Sequence, residues 1–152
     1  MTLIRANSKL SEPATLPFSR PTPSALQPTI LVVEDHDDTR EMLCMFLAGL
    51  GLRVVEACNG LEAVEAASRE RPQLILMNSR LPLLDGLEAT RRIRQNALLD
   101  QVKILALNGS GSPRYHAEAL AAGCDDSIEK PFDIEKLRTY VIHASTLPAC
   151  AT

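Results

Sequence analysis

Short runs of strand length alternate with segments of helical length through most of this 152-residue chain, and this alternation constrains the fold more than any other feature. The predicted strands are Thr29–Glu34, Arg53–Ala57, Leu74–Met77, Lys103–Leu107 and the brief Ser127–Ile128. Strict alternation of strands and helices favours a parallel sheet covered on both faces. The sequence therefore predicts an α/β fold, namely a doubly wound, five-stranded parallel sheet.

Helix signals occupy the segments between these strands. Polar residues suited to N-caps precede them, namely Asp38, Asn59, Asp85, Ser112 and Asp133. Apolar residues at helical spacing are predicted to face the core: Met42, Leu43, Phe46, Leu47 and Leu50 in the first helix, Leu61 and Val64 in the second, Leu87 and Ile93 in the third, and Ile134, Leu137 and Val141 in the last. The core is expected to be aliphatic and rich in alanine, because the chain has no Trp, two Tyr and three Phe.

The chain divides into a folded domain and two tails. Residues 1–28 contain five of the ten prolines and no helical or alternating pattern, which predicts a disordered leader. Residues 29–145 are predicted to form the folded domain, and residues 146–152 a C-terminal tail. No room is expected after residue 145 for an effector domain.

Composition excludes several classes of protein. The formal charge of −3 argues against binding nucleic acid by neutralising phosphates. The four cysteines form no C-x-x-C pair and are expected to be free thiols in a reducing compartment. Neither a signal peptide nor a membrane span is recognisable, so the expected location is the cytoplasm.

Polar side chains follow the predicted strands at their carboxyl ends. Glu34 and Asp35 follow the first strand, Asn78 the third, Asn108 the fourth and Lys130 the fifth. These ends meet at one edge of a parallel sheet, where ligands of such folds bind. Two carboxylates and an amide oxygen suit Mg²⁺. The loop after the first strand has acids and no glycine, which disfavours a nucleotide-binding protein.

Three groups of residues together resemble the receiver domain of two-component response regulators. They are Glu34-Asp35, the pattern N-x-x-x-P-x-x-D-G formed by Asn78, Pro82, Asp85 and Gly86, and the run Lys130-Pro131-Phe132. The resemblance covers the whole predicted domain. It implies the flavodoxin-like, CheY-like (βα)₅ fold with strand order 2-1-3-4-5.

The resemblance also implies residue roles, and the chain departs from them at three positions. The family carries a phosphoacceptor aspartate where this chain has Asn78, a Thr or Ser at Asn108, and a Tyr or Phe at Ser127. Its lysine corresponding to Lys130 contacts the phosphoryl group. These departures predict a degenerate receiver, or pseudo-receiver, with a weakened Mg²⁺ site at Glu34, Asp35 and Asn78.

The function predicted from this resemblance is signalling by contact with a protein, without aspartyl phosphorylation. The expected partner is a histidine kinase or another signalling protein, and the expected state is a stand-alone monomer or weak dimer that binds neither membrane nor nucleic acid. The expected contact face surrounds the fourth helix, fifth strand and fifth helix. Two alternatives are a small Mg²⁺-dependent α/β phosphoryl-transfer enzyme and a fragment of a larger regulator.

Each candidate residue also has a simpler interpretation. Glu34 and Asp35 fit a solvated strand end, Asn78 an ordinary turn, and Lys130 a surface loop. Asp85 is expected to cap a helix rather than bind a metal. Three further residues are given no role: His36 is expected to be exposed, Tyr115 to lie on the surface or pack, and Ser79 to be a weak acceptor.

Overall fold

Five strands alternate with five α-helices in a computed structural model that describes residues 27–109 and 112–146. The strands are β1 (Thr29–Val33), β2 (Arg53–Ala57), β3 (Leu74–Asn78), β4 (Lys103–Asn108) and β5 (Asp126–Glu129). The helices are α1 (Asp37–Gly49), α2 (Gly60–Glu70), α3 (Gly86–Arg94), α4 (Pro113–Ala122) and α5 (Ile134–Ser145), and a 3₁₀ turn spans Ala97–Leu99.

The strands form one parallel sheet in the order β2-β1-β3-β4-β5. This confirms the predicted fold class and strand order. The predicted leader falls outside the described residues except for residues 27 and 28, and the predicted tail falls outside them except for residue 146. The domain boundaries therefore stay predictions.

Side chains of the central strands alternate between two hydrophobic layers, one on each face of the sheet. One layer joins the strands to α1 and α5 through leucines and a valine, including Leu43, Leu47, Leu137 and Val141. The other layer joins them to α2, α3 and α4 largely through alanines, including Ala63, Ala67, Ala89 and Ala119. Small side chains let these helices approach the sheet closely, as expected from the shortage of aromatic residues.

Three residues predicted to face the core are instead exposed. Met42, Leu61 and Ile134 keep 41%, 45% and 38% of their surface accessible. Leu61 and Ile134 lie in the first turns of α2 and α5, where the helix has just left the loop and its next turn makes the core contact. In α1 the buried positions are Leu43 and Leu47, so the stripe is rotated from Met42.

The start of α1 also differs from the prediction. Its N-cap is His36, whose ring nitrogen accepts a hydrogen bond from the Thr39 backbone N–H, and Asp38 lies inside the first turn. The other predicted caps are confirmed, including Asp85, whose carboxylate accepts from the backbone of Leu87 and Glu88. Acidic residues inside the first turn of α1 still interact favourably with the helix dipole.

A close backbone approach fixes the turn between β3 and α3. The Gly86 N–H donates to the Ser79 carbonyl at 2.9 Å. A Cβ atom at Gly86 would lie 2.0 Å from the Asn78 carbonyl oxygen, so this position has no room for a side chain. The turn is therefore held directly against the end of β3, where Asn78 lies.

Candidate functional site at the carboxyl ends of β1 and β3

The parallel register brings three predicted site residues to one place. Val33 pairs with Met77, so Glu34 and Asn78 follow at the same edge of the sheet. Lys130 follows β5, and its backbone N–H donates to the Asn108 carbonyl at 2.7 Å. Glu34 is 1% exposed and Asn78 7% exposed, so the site centres on buried polar groups.

Lys130 points inward and joins the first and third strands. Its Nζ lies 3.0 Å from Glu34 Oε1 and 3.1 Å from Asn78 Oδ1. The Lys130 side chain is 28% exposed, whereas the Glu34 carboxylate is buried. A buried carboxylate needs such a partner, because an unpaired charge in the interior is costly.

The Asn78 amide nitrogen faces the acidic side of the site. Asn78 Nδ2 lies 3.2 Å from Glu34 Oε2, 3.2 Å from Asp35 Oδ1 and 3.0 Å from the Arg80 carbonyl oxygen. The amide oxygen faces only Lys130 among the contacts described. Both polar ends of this buried side chain are therefore hydrogen-bonded, as buried polar groups require.

The loop after β1 and the first turn of α1 supply further contacts to Glu34. The His36 backbone N–H donates to Glu34 Oε2 at 3.2 Å, and Arg40 NH1 donates to the Glu34 carbonyl at 2.9 Å. Sequence reasoning missed Arg40, because it lies six residues away in α1 and belongs to no recognisable motif. Asp35 is exposed, and its carboxylate closes the outer side of the site.

A cavity of about 800 Å³ opens above these residues. Its wall includes Ser79, Arg80, Asn108 and Tyr115. Tyr115, predicted to lie on the surface or pack, packs against the alanine-rich layer and forms part of the cavity wall. Burial raises the pKa of the Tyr115 phenol.

Ser127 lies outside this cavity, in contrast to the prediction that it shares a pocket with Asn108 and Lys130. It lines a neighbouring groove of about 600 Å³, to which Asn108 and Lys130 also contribute. Its hydroxyl is 2.7 Å from His116 Nδ1, which links β5 to α4. No sequence motif indicated this pair, because His116 and Ser127 belong to separate elements.

The residues present do not match the donor set predicted for Mg²⁺. Glu34 and Asp35 offer carboxylate oxygens, but Asn78 turns its N–H groups, not its carbonyl oxygen, toward them. An amide N–H group is not a metal ligand, since Mg²⁺ takes oxygen donors. Within residues 27–109 and 112–146, no group of three or more His, Cys, Asp or Glu side chains is arranged to hold a metal ion.

The fold and the strand-end residues define a receiver of the two-component type. A family model of the response regulator receiver domain matches residues 30–142. The chain belongs to this family of signalling domains. The predicted resemblance is thereby confirmed.

Relatives and solved structures agree with this assignment. Response regulator MprA of Mycobacterium leprae is 38% identical over 108 residues, which are 71% of this chain and 46% of that protein. A receiver domain of a Pseudomonas aeruginosa sensor histidine kinase has 35% identity and a TM-score of 0.74, covering 80% of this chain and 99% of that one. The chain spans less than half the length of the first curated relatives it matches.

Two of the similar structures contain additional components. The Pseudomonas aeruginosa domain has a magnesium ion coordinated in its active site cleft. The receiver domain of a Saccharomyces cerevisiae response regulator, crystallised with a histidine phosphotransfer signalling protein, has 29% identity and a TM-score of 0.76 and covers 81% of this chain and 92% of its own. In the part of the present chain that the structure describes, no helix is long and apolar enough to cross a membrane.

Proposed function

We propose that this receiver signals by binding a protein partner without forming an aspartyl phosphate. The observation that carries the proposal is Asn78 at the end of β3, with both ends of its amide group hydrogen-bonded. A carboxamide has no anionic oxygen to attack phosphorus. The Asn78 oxygen also accepts from the Lys130 ammonium, which draws electron density from it.

The remaining pocket residues support a binding role rather than catalysis. Lys130 Nζ contacts the Glu34 carboxylate and the Asn78 amide oxygen, so the group it meets at the end of β3 is a carboxamide and not an acceptor carboxylate. Ser79 contributes a hydroxyl to the cavity, but none of the hydrogen bonds described gives it a general base. The proposed role is therefore that of a signalling module in the cytoplasm, not of an enzyme.

The proposed partner is a histidine kinase or another signalling protein. The likeness to a receiver crystallised with a phosphotransfer protein supports a protein partner. The proposed contact face comprises α4, β5 and α5, next to the groove that contains Ser127. The net negative charge of the chain supports a protein partner over a nucleic acid. The proposed oligomeric state is a monomer or weak dimer.

Incubation with acetyl phosphate and Mg²⁺ tests the chemical part of this proposal. Intact mass and peptide mapping should show no acid-resistant, base-labile phosphate on residue 78 of the natural chain. The matched Asn78→Asp variant restores an acceptor carboxylate and should gain about 80 Da, the mass of one phosphoryl group replacing a proton. Phosphate on Asn78 itself would overturn the proposal.

A further inference from the structure

We propose that the Asn78 amide group takes the place of a bound cation, so that the pocket is held in one arrangement without Mg²⁺. This inference deepens the proposed function and rests on it only in treating residue 78 as a non-acceptor. The acidic side of the pocket consists of the Glu34 and Asp35 carboxylates. Two like charges facing one another need a positive or hydrogen-bond-donating group between them.

Asn78 Nδ2 supplies that group. It lies 3.2 Å from an oxygen of each carboxylate and also donates to the Arg80 carbonyl at 3.0 Å. The two amide hydrogens therefore serve three acceptors on one side. A hydrogen bond to an ionised carboxylate is stronger than one between neutral groups, so this bridge is a stabilising element.

The surrounding atoms dictate which way the amide group faces. In the opposite orientation, Asn78 Oδ1 would meet two carboxylates and a carbonyl, all of them acceptors. Its nitrogen would then meet the Lys130 ammonium, which has donors only. The observed orientation pairs every donor with an acceptor, because Lys130 Nζ is 3.1 Å from Oδ1.

Charge counting supports the same conclusion. Two carboxylates, Glu34 and Asp35, and one ammonium, Lys130, leave a formal charge of −1 among the contacting groups. An aspartate at position 78 would make it −2 and remove both amide donors. With asparagine, the buried Glu34 is compensated by Lys130 on one oxygen and by N–H donors on the other.

Entry of Mg²⁺ between the carboxylates would break the Asn78 Nδ2 hydrogen bonds to Glu34 and Asp35. If the amide then turned to present its oxygen, its nitrogen would face the donor-only Lys130. The natural chain is therefore expected not to bind Mg²⁺, for two reasons. It lacks the carboxylate that an aspartate at position 78 would provide, and its amide donors already occupy Glu34 and Asp35. The two reasons can be separated, because an alanine at position 78 lacks the carboxylate and the amide donors alike.

The test compares the natural full chain with Asn78→Ala and Asn78→Asp in about 10 mM MgCl₂, above the range of weak divalent-cation sites, and in NaCl of equal ionic strength. One readout is Tm, and the other is the NMR signal of the Asn78 side-chain NH₂ group. Glu65→Gln, an exposed change on α2, controls for ion effects on surface carboxylates.

In the natural chain and in Glu65→Gln, the Tm should be the same in both salts, and the NH₂ signal of Asn78 should not move. Both Asn78→Ala and Asn78→Asp should melt about 3 °C or more higher in MgCl₂ than in NaCl. A saturable shift of the natural NH₂ signal would overturn the inference. An Asn78→Ala variant whose Tm does not respond to Mg²⁺ would also overturn it, because the missing carboxylate alone would then explain why the natural chain does not bind Mg²⁺.

The outcome is independent of phosphorylation. Mg²⁺ binding to the natural chain would sink this inference and leave the proposed function standing, provided that residue 78 took up no phosphate. If a variant fails to fold, the natural NH₂ signal decides alone, because it reports directly on the bonds to Glu34 and Asp35.

Discussion

The pocket at the ends of β1 and β3 and the edge formed by β5 and α4 each contain a residue predicted to depart from the receiver pattern, but they hold that side chain differently. Asn78 is buried and bonded at both ends to groups from three loops. Ser127 is half-buried, and its hydroxyl contacts the exposed His116. A substitution in the pocket therefore affects several charged groups together, whereas a substitution at the edge affects only the Ser127–His116 pair.

This contrast has an energetic consequence. In the pocket, removing one partner leaves a buried charge without compensation, which costs more than the bond itself contributes. At the edge, water can replace the lost partner, so the cost stays near that of one ordinary hydrogen bond. Substitutions in the pocket should therefore lower the free energy of unfolding clearly more than substitutions at the edge.

The largest effect is expected for Lys130→Met. It leaves the buried Glu34 carboxylate without its ammonium, and the free energy of unfolding should fall by about 3 kcal/mol or more. Urea unfolding at neutral pH measures this change. Lys136→Met, an exposed lysine on α5, is the matched control and should stay within about 0.5 kcal/mol of the natural chain. If both substitutions lowered the free energy of unfolding equally, the proposed difference between pocket and surface would be contradicted.

A smaller effect is expected for Ser127→Ala at the edge. The variant loses the contact with His116 Nδ1, and the free energy of unfolding should fall by about 1 kcal/mol at most. A double-mutant cycle with His116→Ala isolates the coupling between the two side chains. A loss above about 2 kcal/mol would place the edge in the same class as the pocket.

The smallest effect is expected for an ion pair outside both regions. Arg53 NH2 lies 2.9 Å from Glu70 Oε1, and hydrogen bonds from Arg53 and Arg69 lower the pKa of the Glu70 carboxyl. Arg53→Met should cost about 0.5 kcal/mol at neutral pH, as partly exposed pairs do. This loss is the reference value with which the losses of unfolding free energy in the pocket and at the edge are compared.

The pH dependence of that pair has a definite sign. A lowered pKa in the folded state stabilises the protein above the ordinary glutamate pKa, and the contribution disappears as pH falls through the folded value. The difference between the natural chain and Arg53→Met should therefore shrink on acidification, as followed by urea unfolding at a series of pH values. A difference that grows instead would contradict the assigned cause.

Sequence reasoning captured the fold because strand and helix patterns are local and repeat five times. It placed Glu34, Asn78 and Lys130 together, since parallel strands align their carboxyl ends. It failed for Leu61 and Ile134, because periodicity does not say which turn of a helix first meets the core.

The orientation of the Asn78 amide could not be predicted from the sequence, for a different reason. An asparagine has the same shape in both orientations, so only the acceptors around it decide. Those acceptors come from separate loops, among them the Arg80 carbonyl. Similarly, no sequence pattern predicts that Leu83 adopts a left-handed conformation, with φ of 69°, because bulky residues rarely do so.

Glu34 and Lys130 are 96 residues apart in the chain, yet their side chains meet. During synthesis the ribosome delivers all five strands before it delivers the lysine. Until then, the carboxylate of Glu34 must remain hydrated, because burial without Lys130 is unfavourable. The nascent chain can therefore complete its pocket only after the fifth strand has emerged, because this contact joins residues of high sequence separation.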